Sequence, residues 1–155
     1  NILSKSTALQ STLIIEDHSS CSFKKNKELD YSVNKGLKVN PVEWFEVIGH
    51  GDCTIEKKPS PDIYHWALEK LKLPPEACMA IEDAPRGVNA ASGAGLNVIV
   101  TPSTYTQNEK FDNAQIVLSH LGEPNNFFEI IKGDLFGHNY VNVDLLNQIH
   151  EGSYK

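Results

Sequence analysis

Residues 56–95 read EKKPSPDIYHWALEKLKLPPEACMAIEDAPRGVNAASGAG, and the order of breakers, apolar positions and acids in this stretch decides the fold. Pro59-Ser60-Pro61-Asp62 opens a helix: Ser60 can cap it, Pro61 suits the first turn and Asp62 complements the dipole. Ile63, Trp66, Ala67, Lys70 and Leu71 then fall at i, i+3, i+4, i+7 and i+8, which predicts one mostly apolar face. Leu73-Pro74-Pro75 stops that helix. Cys78-Met79-Ala80-Ile81 is a short apolar run of the kind buried on both faces of a parallel sheet, and it leaves Glu82 and Asp83 at its carboxyl end. Pro85 starts a second helix. Its small residues Gly87, Ala90, Ala91, Ser92 and Ala94 permit close approach to the sheet, and Gly95 ends it.

Working outward, Asn97-Val98-Ile99-Val100 reads as the next strand and Ala114-Gln115-Ile116-Val117-Leu118 as another. Strands alternating with helices at this spacing predict βαβ units and a parallel sheet. Upstream, Trp44-Phe45-Glu46-Val47-Ile48-Gly49 has the aromatic and β-branched content of a buried strand, with His50-Gly51-Asp52 as the loop beyond it. Residues 1–39 give conflicting signals: Thr12-Leu13-Ile14-Ile15 is β-prone, Glu16 to Ser20 is turn-like, and the polar, basic remainder has no sustained period. This segment is expected to be irregular or poorly ordered. Residues 40–124 form the α/β part, and 125–155 a less regular tail. There, Phe127, Phe128, Ile130 and Ile131 suggest a short helix or cover strip, and 143–149 a weak helix.

The composition is that of one globular domain: 155 residues, 40% hydrophobic and 22% charged. A formal net charge of −6 disfavours a general grip on phosphate backbones, so nucleic acid is not an expected partner. A small phosphorylated ligand needs only one or two local cations. Cys21, Cys53 and Cys78 are odd in number and lack C-x-x-C spacing, which points to a reducing compartment rather than to disulfides or a zinc knuckle. No apolar run approaches a membrane span, so no membrane partner is expected. The first residues carry neither an initiator methionine nor a signal-type leader, and they read as the interior of a longer protein.

Ligands of an open parallel sheet bind at the carboxyl ends of its strands, where Glu82, Asp83 and the loop carrying Lys58 should converge. Adjacent carboxylates suit a hard cation, since Mg²⁺ takes one or two of them and completes its shell with water and phosphate oxygens. A lysine opposite can neutralise charge on a transferring phosphoryl group. Taken singly, Lys58 is an ordinary solvated charge with Lys57 as a decoy beside it, and Glu82-Asp83 is an ordinary helix-start acid pair. The ordered set is far more specific: KP-x-P-D-x-Y, then 25 positions from Lys58 to Asp83, then ED-A-P-x-G and AAxxAG. The histidines His50, His65, His120 and His138 show no metal-ligand spacing. Gly93-Ala94-Gly95 ends a helix instead of opening one, so it is no dinucleotide loop.

These residues resemble the haloacid dehalogenase-like (HAD) phosphatases, in the branch that includes phosphoglycolate phosphatase, β-phosphoglucomutase and the CbbY-like sugar-phosphate phosphatases. KKPSPDIY looks like the family's third motif and AIEDAPRGVNAASGAG like its fourth. The sequences on either side, WFEVIGHGD and VTPSTYTQNEKFDNAQIVLSHLGEP, look closest to CbbY-like members, so the likeness covers 42–124. The resemblance implies Lys58 as the active-site lysine, Asp83 and Glu82 as Mg²⁺ ligands, and a small phosphorylated metabolite as partner. It also implies a partial HAD-like Rossmannoid core, a parallel sheet flanked by helices. Two family parts have no match. The D-x-D-G-[TV] motif, which supplies the nucleophilic aspartate and its acid-base partner, is absent, as no D-x-D occurs in the chain. The first strand that carries it and the helical cap domain are missing, leaving an exposed sheet edge. The phosphate-binding Ser or Thr of the second motif has no good counterpart either, Ser19 and Ser20 matching poorly.

Three readings follow. The first is a fragment of a Mg²⁺-dependent phosphatase that hydrolyses a small sugar phosphate through an aspartyl-phosphate, located in the cytoplasm or in a plastid stroma. The second is a non-catalytic, degenerate module that binds or regulates. The third is a β-phosphoglucomutase-like phosphotransferase. Substrate and oligomeric state are not readable from these residues.

Overall fold

The structure, a computed structural model, describes residues 11–14 and 46–153. Expectations for Cys21, Trp44, Phe45 and the rest of 1–10 and 15–45 lie outside the described residues. In chain order the elements are β1 (Ser11–Ile14), α1 (Asp62–Leu71), β2 (Cys78–Glu82), α2 (Pro85–Gly93), β3 (Asn97–Val100), β4 (Ile116–Leu118), β5 (Ile130–Lys132) and α3 (Val143–Ser153). The strands form one sheet in the order β1-β2-β3-β4-β5. β1 to β4 run parallel, and β5 pairs antiparallel with β4. The carboxyl ends of the parallel strands therefore share one edge of the sheet. β1 pairs along β2 from Ser11 opposite Cys78 to Ile14 opposite Ile81, so the edge expected to lie open beside β2 is covered by a strand that bears no D-x-D.

Alternation along the strands sorts the core into two layers, because successive side chains leave a strand on opposite faces. Cys78, Ala80, Val98, Val100 and Val117 face α1 and α2, where Ile63, Tyr64, Leu68, Val88, Ala90 and Ala91 complete one buried cluster. Met79, Ile99, Ile116 and Leu118 face the other way and pack with Phe128, Leu135, Leu145 and Ile149. Among the described residues, the tail expected to be irregular thus covers this second face of the sheet. Its amphipathic helix α3 extends past the expected residue 149, and Leu145 and Ile149, four apart, present one side to the sheet.

Three expectations are corrected. Ile130 and Ile131 do not enter a helix: with Lys132 they form β5, since β-branched residues beside the open edge of β4 gain backbone pairing there while their side chains stay exposed. Residues 46–50 form no strand, and Ile48 is 48% exposed, because strand propensity is realised only where a neighbour offers a ladder. The buried face of α1 is Ile63, Tyr64, Ala67 and Leu68, with Trp66 half-buried and Lys70 exposed. It is turned from the predicted stripe so that Tyr64 points into the fold, where its hydroxyl finds an acceptor. α1 ends at Lys72 in the left-handed conformation (φ 57°), directly before the Leu73-Pro74-Pro75 stop.

The second helix matches its reading closely. Gly87, Val88, Ala90 and Ala91 are buried against the sheet, and Gly95 adopts φ 82°, a conformation that a side chain would strain. No helix among the described residues is long and apolar enough to cross a membrane.

Candidate active site

The carboxyl end of β2 carries the chemistry. Glu82 is the last residue of the strand, and its backbone carbonyl accepts a 2.9 Å hydrogen bond from the Thr101 amide just after β3. The loop before α1 brings Lys58 to the same place. Its Nζ donates to Glu82 Oε1 at 2.7 Å, and both side chains are almost wholly buried. The neighbouring Lys57 is exposed and donates instead to the backbone carbonyls of Gly51 and Thr54. One lysine braces a loop, and the other enters the site.

Two further residues grip the pair. The Tyr64 hydroxyl donates to the same Glu82 Oε1, and Lys58 Nζ lies 5.7 Å from the centre of the Tyr64 ring. Arg86, in the first turn of α2, donates Nε to the Lys58 carbonyl at 3.2 Å, and its Nη2 reaches the same oxygen. Gly87 closes the far side of the carboxylate: a Cβ there would sit 1.7 Å from Glu82 Oε2, so only glycine lets α2 approach this closely.

Asp83 is exposed, one residue beyond the strand. Its backbone carbonyl accepts a 2.6 Å hydrogen bond from Thr106 Oγ1, and that oxygen in turn accepts from the Ser103 amide at 3.0 Å. The loop after β3 is thereby tied to the acidic pair. Its tip residue, Tyr105, is 94% exposed.

Burial sets the electrostatics. It pushes the Glu82 carboxyl above the usual carboxylate range, because Lys58 and the Tyr64 hydrogen bond only partly offset desolvation and Asp83 adds repulsion. Burial first, and Glu82 second, raise the Tyr64 phenol well above its ordinary value, so it remains a donor. For a hard divalent cation, the donor chemistry fits but is incomplete. Asp83 offers an exposed carboxylate, whereas Glu82 already has one oxygen committed to two donors. Among the described residues no three His, Cys, Asp or Glu side chains group to hold a metal. Remaining ligands would be water and phosphate oxygens, as is usual for Mg²⁺.

The structure therefore brings Lys58 and Glu82 into contact and sets Asp83 beside them. Tyr64, Gly87, Arg86 and Thr106 were not singled out as site residues from the sequence. Tyr64, Arg86 and Gly87 occupy the final or variable positions of KP-x-P-D-x-Y and ED-A-P-x-G, so the motif spacing was their only signal. Thr106 carried none, since a hydroxyl in a polar loop is commonplace.

Residues 26–101 match the model of the haloacid dehalogenase-like hydrolases. Over this stretch the chain is similar to that family, in the branch of the CbbY proteins. It is 51% identical over 81 residues to Protein CbbY of Cereibacter sphaeroides, covering 52% of this chain and 35% of the relative. A CBBY-like protein of Arabidopsis thaliana is 38% identical over 104 residues, 67% of this chain and 32% of that one. The crystal structure of CbbY from Rhodobacter sphaeroides in complex with phosphate superimposes with a TM-score of 0.51 at 49% identity, over 52% of this chain and 36% of the other. A variant of that protein has been solved with xylulose-(1,5)bisphosphate. The chain spans about a third of the length of the curated relatives it matches. The fold is accordingly a partial HAD-like Rossmannoid core.

Proposed function

We propose that this chain carries the charge-neutralising and cation-holding half of a Mg²⁺-dependent phosphatase site for a small sugar phosphate. The observation that carries the reading is the buried Lys58–Glu82 ion pair at the carboxyl end of β2, with the exposed carboxylate of Asp83 next to it. The CbbY structures holding phosphate or a sugar bisphosphate support the substrate class.

In this reading Lys58 faces the phosphoryl oxygens and offsets their charge, an interaction strengthened by its water-poor setting. Asp83 is the principal cation ligand. Glu82 holds Lys58 with Oε1 and supports the cation side through the rest of its carboxylate. When bound, Mg²⁺ neutralises phosphate charge and aligns the phosphoryl group for in-line attack. The attacking aspartate, with its acid-base partner, comes from outside these 155 residues, since no D-x-D occurs in them and the match covers only 35% of the relative's length. A transcript extended upstream should encode D-x-D-G-[TV], and upstream DNA without it would defeat the enzyme reading for this gene product.

The missing nucleophile favours a second reading, a non-catalytic binding or regulatory module. Assay of the 155-residue chain with Mg²⁺ and a panel of sugar phosphates separates the two. Turnover that Lys58→Ala abolishes rules out the module. A chain that binds phosphate without turnover supports it.

A further inference from the structure

The geometry points to Tyr64 as the positioning residue that fixes the Lys58–Glu82 pair for phosphate: its hydroxyl holds the same carboxylate oxygen that Lys58 grips, and its ring lies 5.7 Å from the ammonium. This inference rests on the reading that Lys58 serves a phosphate site. Tyr64 is wholly buried, at 0% exposure, and a buried phenol needs a hydrogen-bond partner. It takes Glu82 Oε1 rather than a backbone carbonyl, which places the phenol inside the polar cluster.

The carboxylate is confined on two sides. Tyr64 of α1 holds it from one, and Gly87 of α2 leaves no room for movement on the other. Lys58 is confined too. Arg86 holds its carbonyl, Glu82 holds its ammonium, and the Tyr64 ring lies 5.7 Å from that ammonium, within cation–π range. A lysine stem is rotamer-rich, so a charge meant to meet a phosphoryl group gains from being held in one geometry before the ligand arrives. Tyr64 supplies that restraint without adding charge, and it lies in the first turn of α1, six residues beyond Lys58, at a distance the helix start makes fixed.

A role in packing alone would be filled equally well by phenylalanine, so Tyr64→Phe in the 155-residue chain is the discriminating variant. Three quantities are measured: thermal unfolding, the rate of Lys58 acetylation by acetic anhydride relative to exposed Lys110 by mass spectrometry, and binding of inorganic phosphate with Mg²⁺ from the Asp83 and Gly87 amide signals. The expected variant still unfolds cooperatively, labels Lys58 about tenfold faster and binds phosphate about tenfold more weakly, the loss of one hydrogen bond to a charged group. Unchanged labelling overturns the inference even if the wild type binds phosphate. Faster labelling with undiminished phosphate affinity overturns it as well. A wild type that binds no phosphate, with Lys58 released in the variant, sinks the proposed function and leaves the Tyr64 restraint standing. Should the variant fail to fold, the wild-type chain decides: a slowly exchanging Tyr64 hydroxyl proton supports the inference, and rapid exchange overturns it.

Discussion

The two faces of the sheet are built on different principles. The face toward α1 and α2 is lined by small residues, Ala80, Ala90, Ala91 and Gly87, and at its carboxyl edge it accommodates three polar groups, Lys58, Glu82 and Tyr64. The face toward α3 is filled by bulky aliphatic and aromatic side chains, Met79, Ile99, Leu118, Phe128, Leu135, Leu145 and Ile149. Small residues let backbones approach closely enough for directional contacts between named atoms, whereas large apolar residues need only fill volume. The first face should therefore be sensitive to atom identity and the second to size.

The largest effect is expected from breaking the buried pair. Glu82→Leu alone, or Lys58→Met alone, should cost about 3–5 kcal/mol in denaturant unfolding, since either leaves a buried charge without its partner. The double variant should recover most of that loss. Equal damage from single and double variants would show that the face is merely volume-sensitive like its opposite.

On the α3 side, Leu145→Ala should cost about 3 kcal/mol from lost burial and a cavity, while Leu145→Met should stay within about 1.5 kcal/mol. A Met variant as damaging as the Ala variant would erase the distinction between the faces. Gly87→Ala adds a single methyl yet should cost about 2 kcal/mol by overpacking, because its Cβ must displace the Glu82 carboxylate. The same variant should raise Lys58 labelling, which no substitution at Leu145 should do.

A pH-dependent comparison comes from Cys78, on the α1–α2 face, whose thiol burial pushes up to about 11. An unfolded thiol titrates near about 8.5, so between these values the folded chain keeps a proton that the unfolded chain loses. Stability from this group is complete below about pH 8.5 and lost as pH rises through about 11. Cys78→Ala should flatten the alkaline arm of a melting-midpoint profile. An unchanged slope there would assign the alkaline loss to other groups, Tyr64 first among them. The smallest effect on stability belongs to Asp83→Asn, which should barely move the melting midpoint because the side chain is exposed. It should nevertheless abolish Mg²⁺ binding measured by calorimetry.

Much of this was legible from the chain itself. The helix at 62–71 was announced by Pro59-Ser60-Pro61-Asp62, the buried strand by four apolar residues before Glu82, and the close-packed second helix by its glycine and alanines. The buried face of α1 departs from the predicted stripe because it includes Tyr64, and a 3.6-residue period cannot tell that a phenol will find a carboxylate. The second layer was hidden for a different reason. Residues 125–150 are interrupted by Gly and Asn, and only contact with Met79, Ile99 and Leu118 gives Phe128, Leu135 and Leu145 a common purpose.

By itself, then, the sequence determined the order of elements around the site, the parallel β2–β3 pairing and the presence of a lysine and two acids at one sheet edge, because local periodicity and chain direction suffice for these. Only the tertiary structure decided that Glu82 turns inward and Asp83 outward, that Lys58 bonds the same carboxylate oxygen as Tyr64, and that Tyr64 and Gly87 hold the carboxylate between them. Those choices depend on which atoms from residues 58, 64, 82 and 87 come within hydrogen-bonding or van der Waals distance. No spacing along the chain encodes such distances until two helices have packed on the same strand.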